Sequence, residues 1–419
     1  MKRSFLIIIA AAAAITLLSA GCSSKKNAAG VTLNTVSMFG EGDSASSAYE
    51  NLISTYCRSY PNVTVADTSD VSSEEWKKGV LDRFLQEETT PDVLFFFSGA
   101  DVRSLILNGQ LVPVEEIQQI YPDYASGIRE STMTFMQEFD GDHYAVPVKG
   151  FWEGLFCNKD LFEQYGAPLP VDWQSFLNSI EIFKENDIIP VAVSLKDVPH
   201  YWIEHLILSE GGAVEHRLNP KGYVPPSWVK GIEWFRTLYE MSAFPSDTAI
   251  ADNAAATSLF LQKKAAMTLD GSWLVQSIAS PENTVVMPFP VAPGGKMLAG
   301  DIISGYSSGF YITRKAWEDA AKREAAVAFV SHMTSAESIS ALCAMGGAPA
   351  MDVPQIGSDT VLQTSVNELQ QNAANACMPI DSKLYKDAWQ SICGDIPEVA
   401  KGNISAQEAV ERLSQLNQW

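Results

Sequence analysis

Several residue groups in this sequence have types and spacings that could do chemistry. Gly305-Tyr306-Ser307-Ser308-Gly309 matches G-x-S-x-G, a nucleophile elbow. That elbow needs a strand before its serine, a helix after it, and a later Asp and His in order. Here strand-like Phe310-Tyr311-Ile312 follows, and the one later histidine, His332, falls on the next helical pattern, so hydrolase chemistry is unsupported. His200, Glu204 and His205 invite a metal, but on a helix residues five apart point about 140° away from each other, so the two imidazoles cannot share one ion. A structural role, or one polar contact at a cleft, suits them better. No phosphate-cradling glycine loop occurs, and carboxylates, though abundant, are not shown by sequence to stand the ~5–9 Å apart that glycoside hydrolysis requires.

Aromatic residues placed beside turn residues are more informative: Phe151-Trp152-Glu153, Tyr201-Trp202, Gly271-Ser272-Trp273 and Tyr306. An aromatic face packs on the C–H face of a sugar ring while nearby carboxylates and amides bond its hydroxyls. Each alone is also explained by core packing, and Trp152 in particular. Their recurrence at expected element ends, where α/β clefts form, is the signal.

The elements that must position them alternate short apolar runs with amphipathic helical patterns, which predicts α/β architecture with largely parallel sheets. Val36-Ser37-Met38, Val63-Thr64-Val65 and the continuous run Val93-Leu94-Phe95-Phe96-Phe97 read as strands, with a helical stripe from Trp76 to Leu85 before the last. Tyr144 to Val148 and Gly154 to Asn158 continue the pattern, followed by a helix capped at Asp172 and a strand from Ile188 to Val193. From Thr257 to Ile278 the spacing predicts helix, strand (Ala265 to Leu269), then helix from Ser272. Beyond Ala299, strand-like Gly309 to Ile312 precedes a helix from Glu324 to His332, and capping boxes at Thr334 to Glu337 and Ser405 to Glu408 start helices in the tail.

The first residues read as an export signal: Lys2 and Arg3, an apolar stretch from Phe5 to Leu18, then Ser19-Ala20-Gly21 before Cys22. Leu17 to Cys22 resembles the lipobox of bacterial lipoproteins, making 1–21 a removable leader, Cys22 the lipidated residue and 22–30 a flexible tether. The alternative is an ordinary cleaved signal with a nearby structural cysteine. No second segment is apolar enough to span a bilayer. The remaining cysteines, Cys57, Cys157, Cys343, Cys377 and Cys393, are scattered and odd in number, which favours buried thiols and leaves a Cys377–Cys393 bridge open. Fifty acidic residues against 29 basic ones give a net charge of −21. Such a surface repels nucleic acid and anionic headgroups. A chain of 419 residues exceeds what one core holds, so two lobes are expected.

Motifs in order along nearly the whole mature chain resemble the extracellular solute-binding proteins of ABC importers, in particular their maltose-binding-protein-like, carbohydrate-binding family 1. Pro91-Asp92-Val93-Leu94-Phe95-Phe96 with Asn108 to Val114 resembles its "PDV" strand and "G-x-L-x-P-L" turn. Tyr144-Ala145-Val146-Pro147, running into Glu153 to Phe162, resembles the passage into the second lobe, with Cys157 where tyrosine is typical. Lys264-Ala265-Ala266-Met267-Thr268-Leu269-Asp270-Gly271-Ser272-Trp273 resembles "K-A-A-M-x-x-x-G-S-W".

The resemblance implies a type II periplasmic-binding-protein fold with an interlobe cleft and three hinge crossings, near Ala145 to Val148, Met287 to Pro290, and Thr334 to Ser335. Lobe 1 is expected over 31–146 plus 289–334, and lobe 2 over 147–288 plus 335–419. It implies reversible capture of a mono- or oligosaccharide, no catalysis, no cofactor or metal, a monomer, and delivery to ABC permease transmembrane subunits from a lipid anchor on the extracytoplasmic face. Trp273 matches the stacking tryptophan, Glu153 a ligand-reaching carboxylate, and Tyr201 and Trp202 an aromatic site on the second lobe. Glu41, Asp43, Ser98 and Asp101 occupy loops after strands of the first lobe, and Asp301, Tyr306, Gly346 and Tyr385 are candidates from later segments. The rivals are another small solute in the same architecture, such as a polyamine, a phosphate ester or ferric iron, and a secreted glycoside-processing enzyme.

Overall fold

The continuous apolar run at Val93–Phe97 forms a strand that is buried along four of its five residues, because it occupies the middle of a sheet with layers on both faces. The computed structural model describes residues 30–43, 45–197, 199–245, 252–344, 346–353 and 360–418. The leader, Cys22 and nearly all of the expected tether lie outside them.

Twelve strands are described: β1 (Val31–Val36), β2 (Val63–Asp67), β3 (Val93–Phe97), β4 (Ala145–Val146), β5 (Lys149–Asn158), β6 (Ile189–Ala192), β7 (Ala265–Gly271), β8 (Thr284–Met287), β9 (Asp301–Gly305), β10 (Ser308–Ile312), β11 (Ala348–Pro349) and β12 (Asn375–Cys377). They form two sheets. The first has the order β2-β1-β3-β10-β4, and the second β12-β9-β5-β7-β6, with β8 and β11 also on β5.

β1 is parallel to β2 and β3, giving the expected βαβ start. The sheets are otherwise less parallel than the alternation of elements suggested. β10 runs antiparallel to β3 and β4, and β5 runs antiparallel to β7, β8, β9 and β11. The segments β4–β5 and β9–β10 each pass from one sheet to the other and run side by side in opposite directions, β4 against β10 and β5 against β9.

Each sheet has its own core. Leu33, Val36, Phe95, Phe310, Phe329 and Val330 fill the first. Leu155, Trp202, Ile207, Phe235, Met267 and Ile396 fill one side of the second, and Trp152, Phe156, Ala192 and Val366 the other. Fully buried Asp92 ties the first lobe together. Its Oδ2 accepts from the Asn34 amide at 2.8 Å, and its two oxygens accept from Lys322 Nζ at 2.8 and 2.9 Å.

Sheet membership moves two of the expected crossings. Phe289 and Ala292 belong to the second core, and β9 pairs with β5 and β12, so the chain returns to the first sheet over 306–307 and not near Met287 to Pro290. Ile339, Leu342 and Ala350 pack on the first core, so the helix Ala336–Cys343 also belongs there and the chain leaves beyond Ala350, not at Thr334 to Ser335.

Gly305, Gly309 and Gly150 make this junction fit. A Cβ on Gly305 would meet Met378 Sδ at 2.1 Å, one on Gly309 would meet Ala145 Cβ at 2.9 Å, and one on Gly150 would meet the Gly305 carbonyl at 2.6 Å. G-x-S-x-G here is therefore a packing motif between two strands.

Local signals held at Asp172 and Ser405, both of which form capping boxes. At the third site the cap is Ser335, whose Oγ accepts from the Ser338 amide, and not Thr334. The expected helix from Ser272 is a short 3-10 turn, Ser272–Ser277. Cys57, Cys157, Cys343, Cys377 and Cys393 are all free thiols, so no Cys377–Cys393 bridge forms.

Candidate functional site

β6 and β7 are parallel, so the segments after them leave from the same edge of the second sheet. After β6 comes the helix His200–His216, and after β7 the turn bearing Trp273. The rings of Tyr201 and Trp273 consequently lie 5.9 Å apart, and the ring of Phe151 from β5 lies 6.3 Å from Trp273. Trp273 remains 44% exposed, whereas most large aromatics of this lobe are sealed in its cores. It presents a face that solvent, or a ring from a ligand, can reach.

The indole is held at two points. Its Nε1–H donates to Asp270 Oδ1 at 2.7 Å. Its benzo edge lies against Gly271, where a Cβ would stand 2.2 Å from Cη2. The Asp270 carboxylate is itself fixed, accepting the Gly271 amide at 2.7 Å and the Thr257 hydroxyl at 3.3 Å.

Beneath the aromatic group lies a cluster of carboxyls. Glu153 and Glu204 are 3% and 1% exposed, and each acts on the other's carboxyl. Burial pushes both well above the usual carboxylate range, reinforced at Glu153 by Glu204, Asp381 and Asp270 and at Glu204 by Asp381. Burial raises Asp270 to about 6 and Tyr201 well above the usual phenol range. Basic groups here are shifted the other way: burial brings Lys383 down to about 8 and holds His216 well below its usual value. His205 Nδ1 lies 2.8 Å from the Tyr201 carbonyl and 3.6 Å from Glu153 Oε2. Since a carbonyl only accepts, that nitrogen carries the proton. Two buried carboxyls side by side retain protons, because separate charges cannot be solvated there.

The structure thus brings together Trp273, Tyr201, Glu153 and Phe151 from the residues the sequence singles out, and adds Asp270, Glu204 and His205. Glu204 and His205 come from the group for which the sequence argues against a metal and favours, for the histidines, a structural role or one polar contact at a cleft. Their signal was helical spacing, since 201, 204 and 205 share one face. Among the described residues no set of three His, Cys, Asp or Glu side chains could hold a metal ion.

Other candidates fall elsewhere. Trp152 stacks on Phe156 at 5.9 Å inside the core on the opposite face of β5, because neighbouring strand residues point to opposite faces. Trp202 is 1% exposed and packs edge-on against Phe289 at 5.7 Å. Asp301 is saturated within the second lobe: it accepts from the Ala213 and Leu298 amides at 3.1 and 3.0 Å and from Asn375 Nδ2 at 2.8 Å. That cap is needed because the helix His200–His216 breaks at Gly212, which has φ 63°.

Tyr306 belongs to the first core, and its hydroxyl donates to the Pro349 carbonyl at 3.0 Å, beside Arg129. Gly346 takes φ +123°, and a Cβ there would stand 2.7 Å from the Ser272 carbonyl, so it packs the first lobe's last segment against the turn carrying Trp273. Tyr385 precedes the helix Lys386–Ala400 and donates its amide to Asn417 Oδ1 at 3.0 Å.

Glu41, Asp43, Ser98 and Asp101 follow the carboxyl ends of β1 and β3 in the first lobe. Asp43 accepts from the Ala45 amide at 2.7 Å, Asp101 pairs with Lys77 at 3.0 Å, and the Ser98 amide donates to the Ser307 carbonyl at 2.8 Å. This edge approaches the second lobe where Gly99 nears the Ser382 carbonyl and where Lys149, opening β5, reaches over the Phe39 ring at 5.6 Å. A larger concavity of about 340 Å³, lined by Phe162, Gly166, Pro168 and Leu169 among others, lies at the end of the helix Lys159–Tyr165 and gathers none of these groups.

Residues 41–339 match the family model described as bacterial extracellular solute-binding protein. The chain belongs to that family. It is 20% identical over 351 residues to the melibiose/raffinose/stachyose-binding protein MelE of Bacillus subtilis strain 168, an alignment covering 80% of this chain and 77% of that protein. Among solved structures it is similar to one from work on xylan utilization by the thermophilic bacterium Caldanaerobius polysaccharolyticus, with a TM-score of 0.77, 20% identity, and coverage of 92% of this chain and 99% of that one. A chitin oligosaccharide binding protein gives a TM-score of 0.77 at 19% identity, covering 92% and 98%. At these identities the structural likeness establishes the fold, a two-lobed solute-binding architecture.

Proposed function

We propose that this solute-binding protein captures a mono- or oligosaccharide between its lobes and delivers it to the transmembrane subunits of an ABC importer, performing no chemistry on it. The observation that carries this reading is the half-exposed Trp273, fixed between Tyr201 and Phe151 above a set of buried carboxyls. An aromatic face for the C–H side of a sugar, with polar groups around its rim, is what a neutral polyhydroxylated ring requires. The names of MelE and the chitin oligosaccharide binding protein point to the same ligand class.

Sugar bridging both lobes would favour a closed arrangement through its differential affinity, a hinge motion about the strand junctions at 147–148 and 306–307. In this proposal Cys22 carries the lipid that keeps the receptor at the membrane. A single acyl chain anchors only marginally, whereas the two or three expected at a lipobox cysteine hold firmly. Among the described residues no helix is long and apolar enough to cross a membrane.

A thermal-shift screen against mono- and oligosaccharides tests the reading. A ligand at 100 times its dissociation constant should stabilise the protein by about 2.7 kcal/mol. Stabilisation by polyamines or phosphate esters in place of every sugar would reassign the solute, and sustained hydrolysis of chromogenic glycosides would replace transport by catalysis.

A further inference from the structure

Trp273 sits on a short 3-10 turn and is 44% exposed, so the Tyr201 and Phe151 rings and Gly271 leave much of the indole uncovered. An exposed indole ordinarily samples several rotamers, and a stacking platform that must first be ordered loses affinity by the cost of ordering it. One polar contact restrains it: the 2.7 Å hydrogen bond from Nε1 to Asp270 Oδ1. Asp270 is only 6% exposed, an expensive place for a carboxylate, and a hydrocarbon side chain there would suit a buried strand end better.

Its contacts account for its presence. The same oxygen accepts the Gly271 amide, the other accepts the Thr257 hydroxyl, and behind it lies a cavity of about 20 Å³ bordered by Tyr201, Thr257 and Thr268, with room for about one water. The carboxylate is clamped from two elements, the helix Asn253–Leu261 and β7, and passes that rigidity to the indole.

We propose that Asp270 is the positioning residue of the binding site: it contributes through Trp273, locking the indole between Tyr201 and Phe151 so that its free face is presented in one orientation to the ligand. The inference rests on Trp273 being the stacking platform, and its consequences for the indole itself can be measured without any ligand. Asparagine at 270 keeps an acceptor oxygen for Nε1 and for the Gly271 amide, and its amino group can donate to Thr257. Leucine keeps the volume and removes every acceptor.

The test compares Asp270→Leu and Asp270→Asn, each also in a Trp273→Phe background. Subtracting the Trp273→Phe emission isolates the Trp273 signal, and acrylamide quenching reports how freely the indole moves. Asp270→Leu should red-shift that signal and raise its quenching, while Asp270→Asn should restore both. In titrations with raffinose as the probe, Asp270→Leu should weaken affinity by roughly tenfold or more, as expected for loss of about 1.4 kcal/mol. In the Trp273→Phe background it should cost less than about twofold more, because residues acting through one another are non-additive. Should Asp270→Leu fail to fold, Thr257→Val loosens the same clamp and should raise Trp273 quenching in the same direction.

Unchanged Trp273 emission and quenching in Asp270→Leu would overturn the proposal, as would an Asp270→Asn variant no better than leucine. Independent, multiplying losses in the double variant would also overturn it. If the parent ignores raffinose and other sugars, the carbohydrate reading fails while the quenching series still decides the role of Asp270.

Discussion

Tyr201 and Trp273 face each other at 5.9 Å with their planes 39° apart, one carried by a helix after β6 and the other by a turn after β7. Two parallel strands that end at the same edge deliver both rings, and β5 between β7 and β9 adds Phe151 and Glu153. The proposed binding surface is thus a property of the sheet edge, with side chains drawn from segments far apart in sequence.

Gly271→Ala should abolish the arrangement with little effect on the fold. Gly271 has φ −97° and ψ 178°, which alanine adopts freely, so the cost is steric. The new Cβ would stand 2.2 Å from the indole and force Trp273 away. Ligand affinity should fall by roughly tenfold or more while the melting temperature moves by no more than about 2 °C. Calorimetric titration together with thermal unfolding of one sample checks both.

Glu204→Gln should stabilise the protein, increasingly so as pH rises. Burial, followed by Asp381, raises the carboxyl in the folded state, whereas in the unfolded chain it ionises near pH 4.3. The unfolded state therefore releases its proton first, and the parent loses stability as pH climbs above that value. Glutamine removes this penalty, so the variant should gain at least about 1 kcal/mol at pH 8 and little at pH 4. Chemical denaturation across that range gives the slope, and a gain that shrinks with pH would show that the pair is not protonated in the native state.

Trp202→Ala should behave oppositely to substitutions at its neighbour Tyr201. Trp202 fills the core against Phe176, Phe244 and Phe289, so truncation should destabilise by about 3–5 kcal/mol. Denaturant midpoints read this directly, and any loss of sugar affinity should follow the unfolded fraction.

The helical phase that separates Tyr201 from Trp202 explains what was legible in the sequence and what was not. The strand Val93–Phe97 and the caps at Asp172 and Ser405 rest on local pattern, and could be read from it. Whether Tyr201 or Trp202 reaches the open edge depends on how the helix is rotated against β7, a tertiary fact. Asp301 looked available because its three partners, Ala213, Leu298 and Asn375, come from other segments. The return crossing was misplaced for the same reason: β9 belongs to the second sheet only through pairing with β5 and with β12, more than 70 residues along the chain. The acidic cluster was legible as separate residues only, since it joins Glu153, Glu204, Asp270 and Asp381 from four segments.

The central claim is most directly tested by isothermal titration of the best carbohydrate from the thermal-shift screen into the parent chain and into Trp273→Ala. Losing a half-exposed stacking face should cost about 2 kcal/mol, roughly thirtyfold in affinity, with the melting temperature of the free protein within about 2 °C of the parent. Saturable one-site binding by the parent that weakens to this extent in the variant is the expected result. Equal affinity in both proteins, or a parent that binds no carbohydrate, would contradict the account.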